Sequence, residues 1–170
     1  MAQRFIMLVG IAGSGKSTYA RLFIEHRAQT DEDIIILSSD EVRAELYGDA
    51  SIQANPAHVF EILNQRTLNA LKEGRSVIYD ATNLIASRRT QFLTQIKQIA
   101  PDCFCACVVC DTPIDECIER QSLRDRQVPT SAIQRQSKQL QFPQYSEGWD
   151  RIVFSDNDSQ IEHRSWRAHV

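Results

Sequence analysis

Short, continuously apolar runs alternate along the chain with longer stretches in which apolar residues recur every three or four positions. Runs of the first kind are typical of strands in a parallel sheet, because both faces of such a sheet are buried. The sequence therefore predicts strands over residues 4–9, 34–37, 76–79, 103–110 and 152–154.

The periodic stretches predict amphipathic helices between these strands. Asn55 followed by Pro56 is typical of a helix start, and Gly74 is typical of a helix end. The predicted helices cover residues 14–27, 40–47, 56–73, 87–99, 113–125 and 130–140. Strands that alternate with helices predict an α/β domain of three layers, in which a parallel sheet lies between two layers of helices.

Composition narrows the class of protein. A chain of 170 residues with 42% hydrophobic and 24% charged residues fits one globular domain over 1–170. The net charge of −3 excludes nucleic-acid binding through bulk positive charge, but 15 Arg against 4 Lys suits bidentate phosphate recognition. No apolar run reaches the roughly 18 residues of a membrane helix, so we expect a cytoplasmic protein without a membrane partner. These features leave the oligomeric state open.

Four of the five cysteines lie in the run C-F-C-A-C-V-V-C. One interpretation is a metal site on Cys107 and Cys110, and the other is a buried strand. Strand alternation puts Cys103, Cys105 and Cys107 on one face and Cys110 on the other. Since no second cysteine pair completes a tetrahedral zinc site, we favour the buried strand.

The strongest motif follows the first predicted strand and opens the first predicted helix. It matches G-x-x-x-x-G-K-[ST] at every fixed position. Glycines in such a loop let successive N–H groups point at phosphate oxygens, and the helix N-terminus adds its positive dipole end. The matching residues are Gly10, Ile11, Ala12, Gly13, Ser14, Gly15, Lys16 and Ser17.

This loop predicts a nucleoside triphosphate donor with Mg²⁺. Lys16 is expected at the β- and γ-phosphates, and the Ser17 hydroxyl is expected on Mg²⁺. The chain has no N-K-x-D element of a guanine-specific protein and is short for a motor. A basic segment late in a small domain favours a phosphotransferase with a lid, since transfer needs positioning, charge neutralisation and exclusion of water.

Asp40 and Arg43 follow the second predicted strand, at the edge where ligands of parallel sheets bind. Asp40 could accept the proton of an attacking hydroxyl, and Arg43 would lie beside it on one helix face and grip an acceptor phosphate. The alternative is that Ser39 or Asp40 only caps the short helix.

Asp80 ends the third predicted strand and opens the segment Asp-Ala-Thr-Asn that finishes at Asn83. A carboxylate at the tip of such a strand resembles the Walker-B aspartate that helps to hold hydrated Mg²⁺. Alternatively, Asp80 orients Arg43 or the acceptor, or the segment is only a turn.

A basic stretch covers residues 120–126. If residues 113–125 form one helix, Arg120 and Arg124 lie one turn apart and both could reach a triphosphate. The alternative is a solvated, salt-bridged face, because Glu116 and Asp125 are near in sequence.

Taken together, G-I-A-G-S-G-K-S-T, S-S-D-E-V-R, Y-D-A-T-N and E-R-x-x-x-R-x-R-x-V-P resemble the 5′-hydroxyl polynucleotide kinases. The resemblance is to the phage enzyme and to the kinase module of bacterial RNA-repair polynucleotide kinase–phosphatases, from about Phe5 to Phe154. It implies a P-loop kinase fold with strand order 2-3-1-4-5 and an Arg-bearing helical lid over about 113–142. It also implies ATP and Mg²⁺ as cofactors and a polynucleotide 5′-hydroxyl as acceptor.

The resemblance also implies roles for individual residues. Asp40 becomes the general base and Arg43 the clamp on the acceptor phosphate, while Arg124 and Arg120 become lid arginines on the donor phosphates. The loop through Thr18 binds the donor, Asp80 serves the metal or the acceptor, and Asn83 is expected at the acceptor.

The acceptor remains open at this point. Family members are often fused to phosphatase or ligase modules that these 170 residues lack, and related small P-loop kinases act on metabolites or tRNA-borne groups. A third hypothesis is a protein that binds ATP without transferring phosphate. Residues 156–170 match no motif and are expected to form a surface tail.

Overall fold

The computed structural model describes residues 3–28, 32–52, 54–125 and 127–155. Five strands form its centre: β1 (Arg4–Val9), β2 (Ile34–Ser38), β3 (Ser76–Asp80), β4 (Phe104–Cys110) and β5 (Arg151–Ser155). The helices are α1 (Lys16–Arg27), α2 (Ser39–Tyr47), α3 (Pro56–Lys72), α4 (Ala86–Ile99), α5 (Ile114–Ser122) and α6 (Thr130–Gln139), and a 3₁₀ turn covers Tyr145–Glu147.

The sheet is parallel throughout and has the strand order β2-β3-β1-β4-β5. Its central strand, β1, pairs with β3 on one side and with β4 on the other. The expected α/β/α fold and the expected order 2-3-1-4-5 are therefore confirmed. Because all strands run in one direction, their carboxyl ends meet at one edge, where the loops after β1, β2 and β3 come together.

Two apolar clusters cover the two faces of the sheet. Cys103, Cys105 and Cys107 belong to the cluster on one face, and Cys110 belongs to the cluster on the other, as the strand alternation predicts. The five cysteines are buried and unpaired. In the part of the chain that the structure describes, no group of three or more His, Cys, Asp or Glu side chains is arranged to hold a metal.

Helix starts largely follow the sequence prediction, with one shift at the phosphate loop. The Asn55 side chain accepts a hydrogen bond from the His58 N–H and caps α3, which begins at Pro56. α1 begins at Lys16 rather than at residue 14, because Gly13 and Gly15 have φ angles of 83° and 94° that a helix does not allow.

The predicted helix over 113–125 is wrong at its end. α5 stops at Ser122, and the chain then turns back towards α6. Two glutamines hold this turn: Gln127 donates its side-chain amide to the Ser122 carbonyl, and the Gln121 side chain accepts from the Val128 N–H. Arg124 therefore lies in the turn and not on the same helix face as Arg120.

A third apolar cluster joins α5 and α6 to the phosphate loop. Ile11, Leu84, Cys117 and Ile133 are all buried in it. The lid over 113–142 and the assignment of 1–170 to one domain stay predictions, and the expected tail over 156–170 lies outside the described residues. None of the described helices combines the length and the apolar character that crossing a bilayer requires.

Candidate active site

A cleft of about 1260 Å³ lies over the carboxyl ends of β1, β2 and β3. The phosphate loop, the start of α2, the loop after β3 and the turn between α5 and α6 contribute to its wall. Five residues of the phosphate loop line it: Ala12, Gly13, Gly15, Lys16 and Ser17. The cleft can therefore hold a ligand directly against the loop.

Burial and close contacts with neighbouring segments hold the phosphate loop in place. Ile11 and Ser14 are buried, and the Gly10 N–H donates to the Thr82 carbonyl at 3.1 Å, which ties the loop to the end of β3. Gly13 packs so closely on α5 that a Cβ there would lie 2.5 Å from the Cys117 carbonyl oxygen. Thr18 is exposed on α1 and does not line the cleft.

Lys16 is buried at the start of α1, and its Nζ donates to the Ile11 carbonyl at 2.8 Å. Burial lowers the pKa of this ammonium, while the negative charges of Asp80 and Asp40 act in the opposite direction. A buried cation with carboxylates on one side and an open cleft on the other is suited to hold anionic oxygens.

Ser17 and Asp80 meet at the floor of the cleft, where the Ser17 hydroxyl donates to the Asp80 carboxylate at 2.7 Å. Burial raises the pKa of Asp80, opposed by the Ser17 hydrogen bond and by the charges of Lys16 and Arg124. A hydroxyl and a carboxylate oxygen are hard donors of the kind that Mg²⁺ prefers, so the pair fits this metal.

Asp40 and Arg43 lie side by side in α2 and line the same cleft. Arg43 Nη1 donates to Asp40 Oδ1 at 2.9 Å, and the cap of α2 is Ser38, whose hydroxyl accepts from the Asp40 N–H. The Asp40 side chain is 67% exposed, whereas that of Arg43 is only 10% exposed. The Asp40 carboxylate is thus free of the capping role that the sequence left open.

Arg43 is poised for a negatively charged group. It lies in the cleft wall, and its Nε has no hydrogen-bond partner among the described residues although it is buried. A buried guanidinium nitrogen without a partner costs free energy, while the charge of the same guanidinium lies beside the cleft.

Asn83 also lines the cleft, but its side-chain amide is engaged with the backbone. Nδ2 donates to the Leu8 carbonyl at 2.6 Å and to the Ala81 carbonyl at 3.1 Å. Its own carbonyl accepts from Arg89, a buried residue of α4. These bonds hold the loop after β3 against the end of β1, and they occupy the donors that were expected to face the acceptor.

The two arginines expected in the lid have different positions. Arg124 lines the cleft, and its charge acts on the Asp80 carboxyl. Arg120 does not line the cleft, and its guanidinium forms an ion pair with Glu116 one turn earlier in α5. The structure therefore brings Arg124, but not Arg120, to the site.

Three further arginines line the cleft that the sequence reasoning missed. Arg88 and Arg89 lie in the first turn of α4, and Arg135 lies in α6. The position of Arg88 shortly after the Asp-Ala-Thr-Asn segment was a usable signal. Arg135 offers none, because only the packing of α6 on the phosphate loop brings it near.

Comparison with known proteins connects this site to a family. A family model described as an AAA domain matches residues 5–143. L-seryl-tRNA(Sec) kinase of Methanococcus maripaludis is 25% identical over 145 residues, which cover 85% of this chain and 55% of that protein. Transcription factor bHLH140 of Arabidopsis thaliana is 25% identical over 167 residues, which cover 94% of this chain and 17% of that protein.

Solved structures give the same picture of the fold. A chain in the structure of the Pnkp1/Rnl/Hen1 RNA repair complex aligns with a TM-score of 0.64 and 26% identity, over 88% of this chain and 47% of that chain. The Mycobacterium tuberculosis APS kinase CysC, in complex with AMPPNP and APS, aligns with a TM-score of 0.62 and 22% identity, over 91% and 90% of the two chains.

The chain spans only 17% and 55% of the lengths of the two curated relatives, so what it shares with them is a domain. That domain begins at the first strand and extends past α6, and it carries the phosphate loop and the parallel sheet described above. The chain belongs to the AAA domain family and has the fold of a P-loop kinase.

Proposed function

We propose that the protein is an ATP-dependent kinase that transfers the γ-phosphoryl group to the 5′-hydroxyl end of RNA or DNA. The observation that carries this proposal is the pairing of Asp40 with Arg43 in the wall of the cleft that Lys16 and the Ser17–Asp80 pair also line. A protein that only binds nucleotide has no use for an exposed carboxylate paired with a buried arginine in the wall of its cleft.

The proposal assigns a role to each group in the cleft. The phosphate loop and Lys16 hold the triphosphate, and Arg124 neutralises charge that develops on the transferred group. Asp40 accepts the proton of the attacking hydroxyl, while Arg43 binds a phosphate of the acceptor strand. Ser17 and Asp80 would hold Mg²⁺, which would neutralise negative charge of the triphosphate.

The polynucleotide acceptor is supported by two features. Arg43 lines the cleft and carries a positive charge, and Arg88 and Arg135 add positive charge to the same cleft, as an anionic acceptor requires. The similarity to a chain of an RNA repair complex points to the same class of acceptor. A tRNA-borne hydroxyl is the second candidate, favoured by the similarity to L-seryl-tRNA(Sec) kinase over 85% of the chain.

Incubation with γ-labelled ATP and a panel of acceptors tests the proposal. The panel contains 5′-hydroxyl RNA, 5′-hydroxyl DNA, the same oligonucleotides carrying a 5′-phosphate, seryl-tRNA, adenylyl sulfate and simple sugars. We expect label on the 5′-hydroxyl oligonucleotides, none on their 5′-phosphorylated forms, and none with the Lys16→Ala variant. Label on seryl-tRNA alone, or on a metabolite alone, would replace the polynucleotide acceptor, and label on nothing would contradict the kinase.

A further inference from the structure

One N–H of the phosphate loop is already occupied by a side chain from outside the loop. The Ala12 N–H donates to Oε1 of Gln136, a residue of α6 that is 124 positions further along the chain, at 2.8 Å. Loop amides of this kind normally bind phosphate oxygens, so a side chain that takes one of them affects how the loop is presented.

Lys16 is bound to the same peptide unit from the other side. Lys16 Nζ donates to the Ile11 carbonyl at 2.8 Å, and that carbonyl shares its peptide group with the Ala12 N–H. A peptide group is planar and rotates as one body, so a rotation that frees the Ala12 N–H also turns the Ile11 carbonyl away from Lys16. Gln136 and Lys16 are therefore connected through a single rigid group.

Gln136 is itself held firmly. Ile133, one turn earlier on the same face of α6, is fully buried against Ile11. At the end of the helix, the Gln141 N–H donates to the Leu84 carbonyl, and its side chain accepts from the Ala86 N–H. The amide of Gln136 is thus presented by a helix that is anchored at two points, and it can fix the orientation of the peptide group to which it is bonded.

We infer that Gln136 is a positioning residue for Lys16. It orients the peptide between Ile11 and Ala12, whose carbonyl keeps the Lys16 ammonium aimed at the β- and γ-phosphates. The inference rests on the proposed function only in placing a nucleoside triphosphate in the loop, and it holds for any acceptor. It assigns to α6 a part in donor binding that the loop motif does not include.

A double-mutant cycle on nucleotide binding tests the inference. The dissociation constant of AMPPNP is measured by calorimetry for the wild type, Gln136→Leu, Lys16→Ala and the double variant. Loss of one such hydrogen bond should weaken binding by about 5–10-fold in Gln136→Leu. In the Lys16→Ala background the same substitution should cost less than about twofold, because the residue through which it acts is gone.

Matched variants separate positioning from support of the fold. Gln134→Leu changes an exposed glutamine of the same helix and should bind AMPPNP like the wild type. Gln136→Met, of similar length but without an amide, should reproduce Gln136→Leu. Melting temperatures without nucleotide identify a general loss of structure, and Lys16→Arg provides a second background in which affinity stays measurable.

Two results would overturn the inference. One is a Gln136→Leu variant that binds AMPPNP as tightly as the wild type, and the other is an equal loss in the presence and absence of the Lys16 side chain. Because this experiment needs no acceptor, a wild-type protein that binds AMPPNP but labels none of the acceptor panel would contradict the proposed function alone.

Discussion

In the proposed function, Asp40 is the residue whose chemistry distinguishes a phosphotransferase from a protein that only binds nucleotide. Asp40→Asn keeps the size of the side chain and an oxygen for Arg43, but it removes the ability to take up a proton. Loss of a general base typically costs about 10²–10⁴-fold in rate, so we expect transfer to fall by at least ~10²-fold. Nucleotide binding and the melting temperature should stay close to wild type, as calorimetry and thermal unfolding can show.

Ser38→Ala is the control for this variant, because Ser38 is the cap of α2. Loss of a cap costs about 0.5–2 kcal/mol of stability. The control should therefore lower the melting temperature while leaving most of the transfer rate. Normal transfer by Asp40→Asn to the true acceptor would move the search for the base to Asp80.

We predict that the ionised Asp80 carboxylate lowers the stability of the folded protein and contributes to Mg²⁺ binding. Because burial raises its pKa above the reference value of 3.8, the folded protein loses stability as the pH rises through that raised pKa and the carboxylate ionises. Asp80→Asn carries no such charge, so near neutral pH it should unfold at the same or a higher temperature than the wild type. The difference should shrink as the pH is lowered.

The activity of Asp80→Asn should change in the opposite direction. A weaker site for hydrated Mg²⁺ should raise the Mg²⁺ concentration needed for half-maximal transfer by about 10–100-fold. Melting curves across the pH range and a Mg²⁺ titration of activity check the two halves of this prediction. A destabilised variant with an unchanged Mg²⁺ requirement would show that Asp80 supports the fold rather than the metal.

At the scale of elements, local signals were readable from the sequence and contacts between elements were not. The phosphate loop and the cap at Asn55 follow from a few adjacent residues, so their structure could be predicted. The end of α5 could not, since it depends on how Gln121 and Gln127 meet across a turn. The positions of Gln136 and Arg135 also depend on the packing of α6, which no short sequence motif predicts.

The turn after α5 gives a prediction that separates its two arginines. Arg124 lines the cleft, so Arg124→Ala should lower the transfer rate more than it weakens ATP binding, if it acts on charge that develops in the transition state. Arg124→Lys should restore little, because lysine lacks the planar fork. Arg120→Ala should have the smaller effect, since that side chain is paired with Glu116 outside the cleft.

Steady-state kinetics with ATP as the varied substrate, together with ATP binding by calorimetry, measure both variants. Equal losses in the two variants would mean that the turn rearranges when the donor binds and brings Arg120 into the site. Wild-type rates in Arg124→Ala would leave this arginine as part of a solvated surface.

At the scale of the whole molecule, the alternation of strands and helices determined the class of fold, and the resemblance supplied the strand order. The candidate site was predictable where it lies in segments that directly follow strands, because those segments must meet at one edge of the sheet. Asn83 illustrates the limit: its position was predicted, but its bonds to the Leu8 and Ala81 carbonyls depend on how close β1 lies.

A buried ion pair lies between α4, next to the loop after β3, and the 3₁₀ turn that precedes β5. Arg89 and Glu147 form two hydrogen bonds of 2.9 and 2.7 Å, and their side chains are 1% and 7% exposed. Glu147 also accepts from the Trp149 indole, while Arg89 donates to the Asn83 carbonyl. The pair therefore connects the segment before β5 to the loop that lines the cleft.

Glu147→Gln should destabilise the whole domain, because it leaves the Arg89 cation buried without its counter-charge. Breaking one side of such a pair costs about 3–5 kcal/mol, which urea denaturation can measure.

Burial by itself would raise the pKa of Glu147, but the hydrogen bonds from Arg89 and Trp149 hold it below the reference value of 4.5. The stabilisation is therefore present above that pH and is lost as the pH falls through the lowered pKa, so the wild type and the variant should converge in acid. Glu61→Gln, which changes an exposed carboxylate, should stay within about 0.5 kcal/mol of the wild type. Equal stabilities of Glu147→Gln and Glu61→Gln at neutral pH would show that the pair does not hold the two segments together.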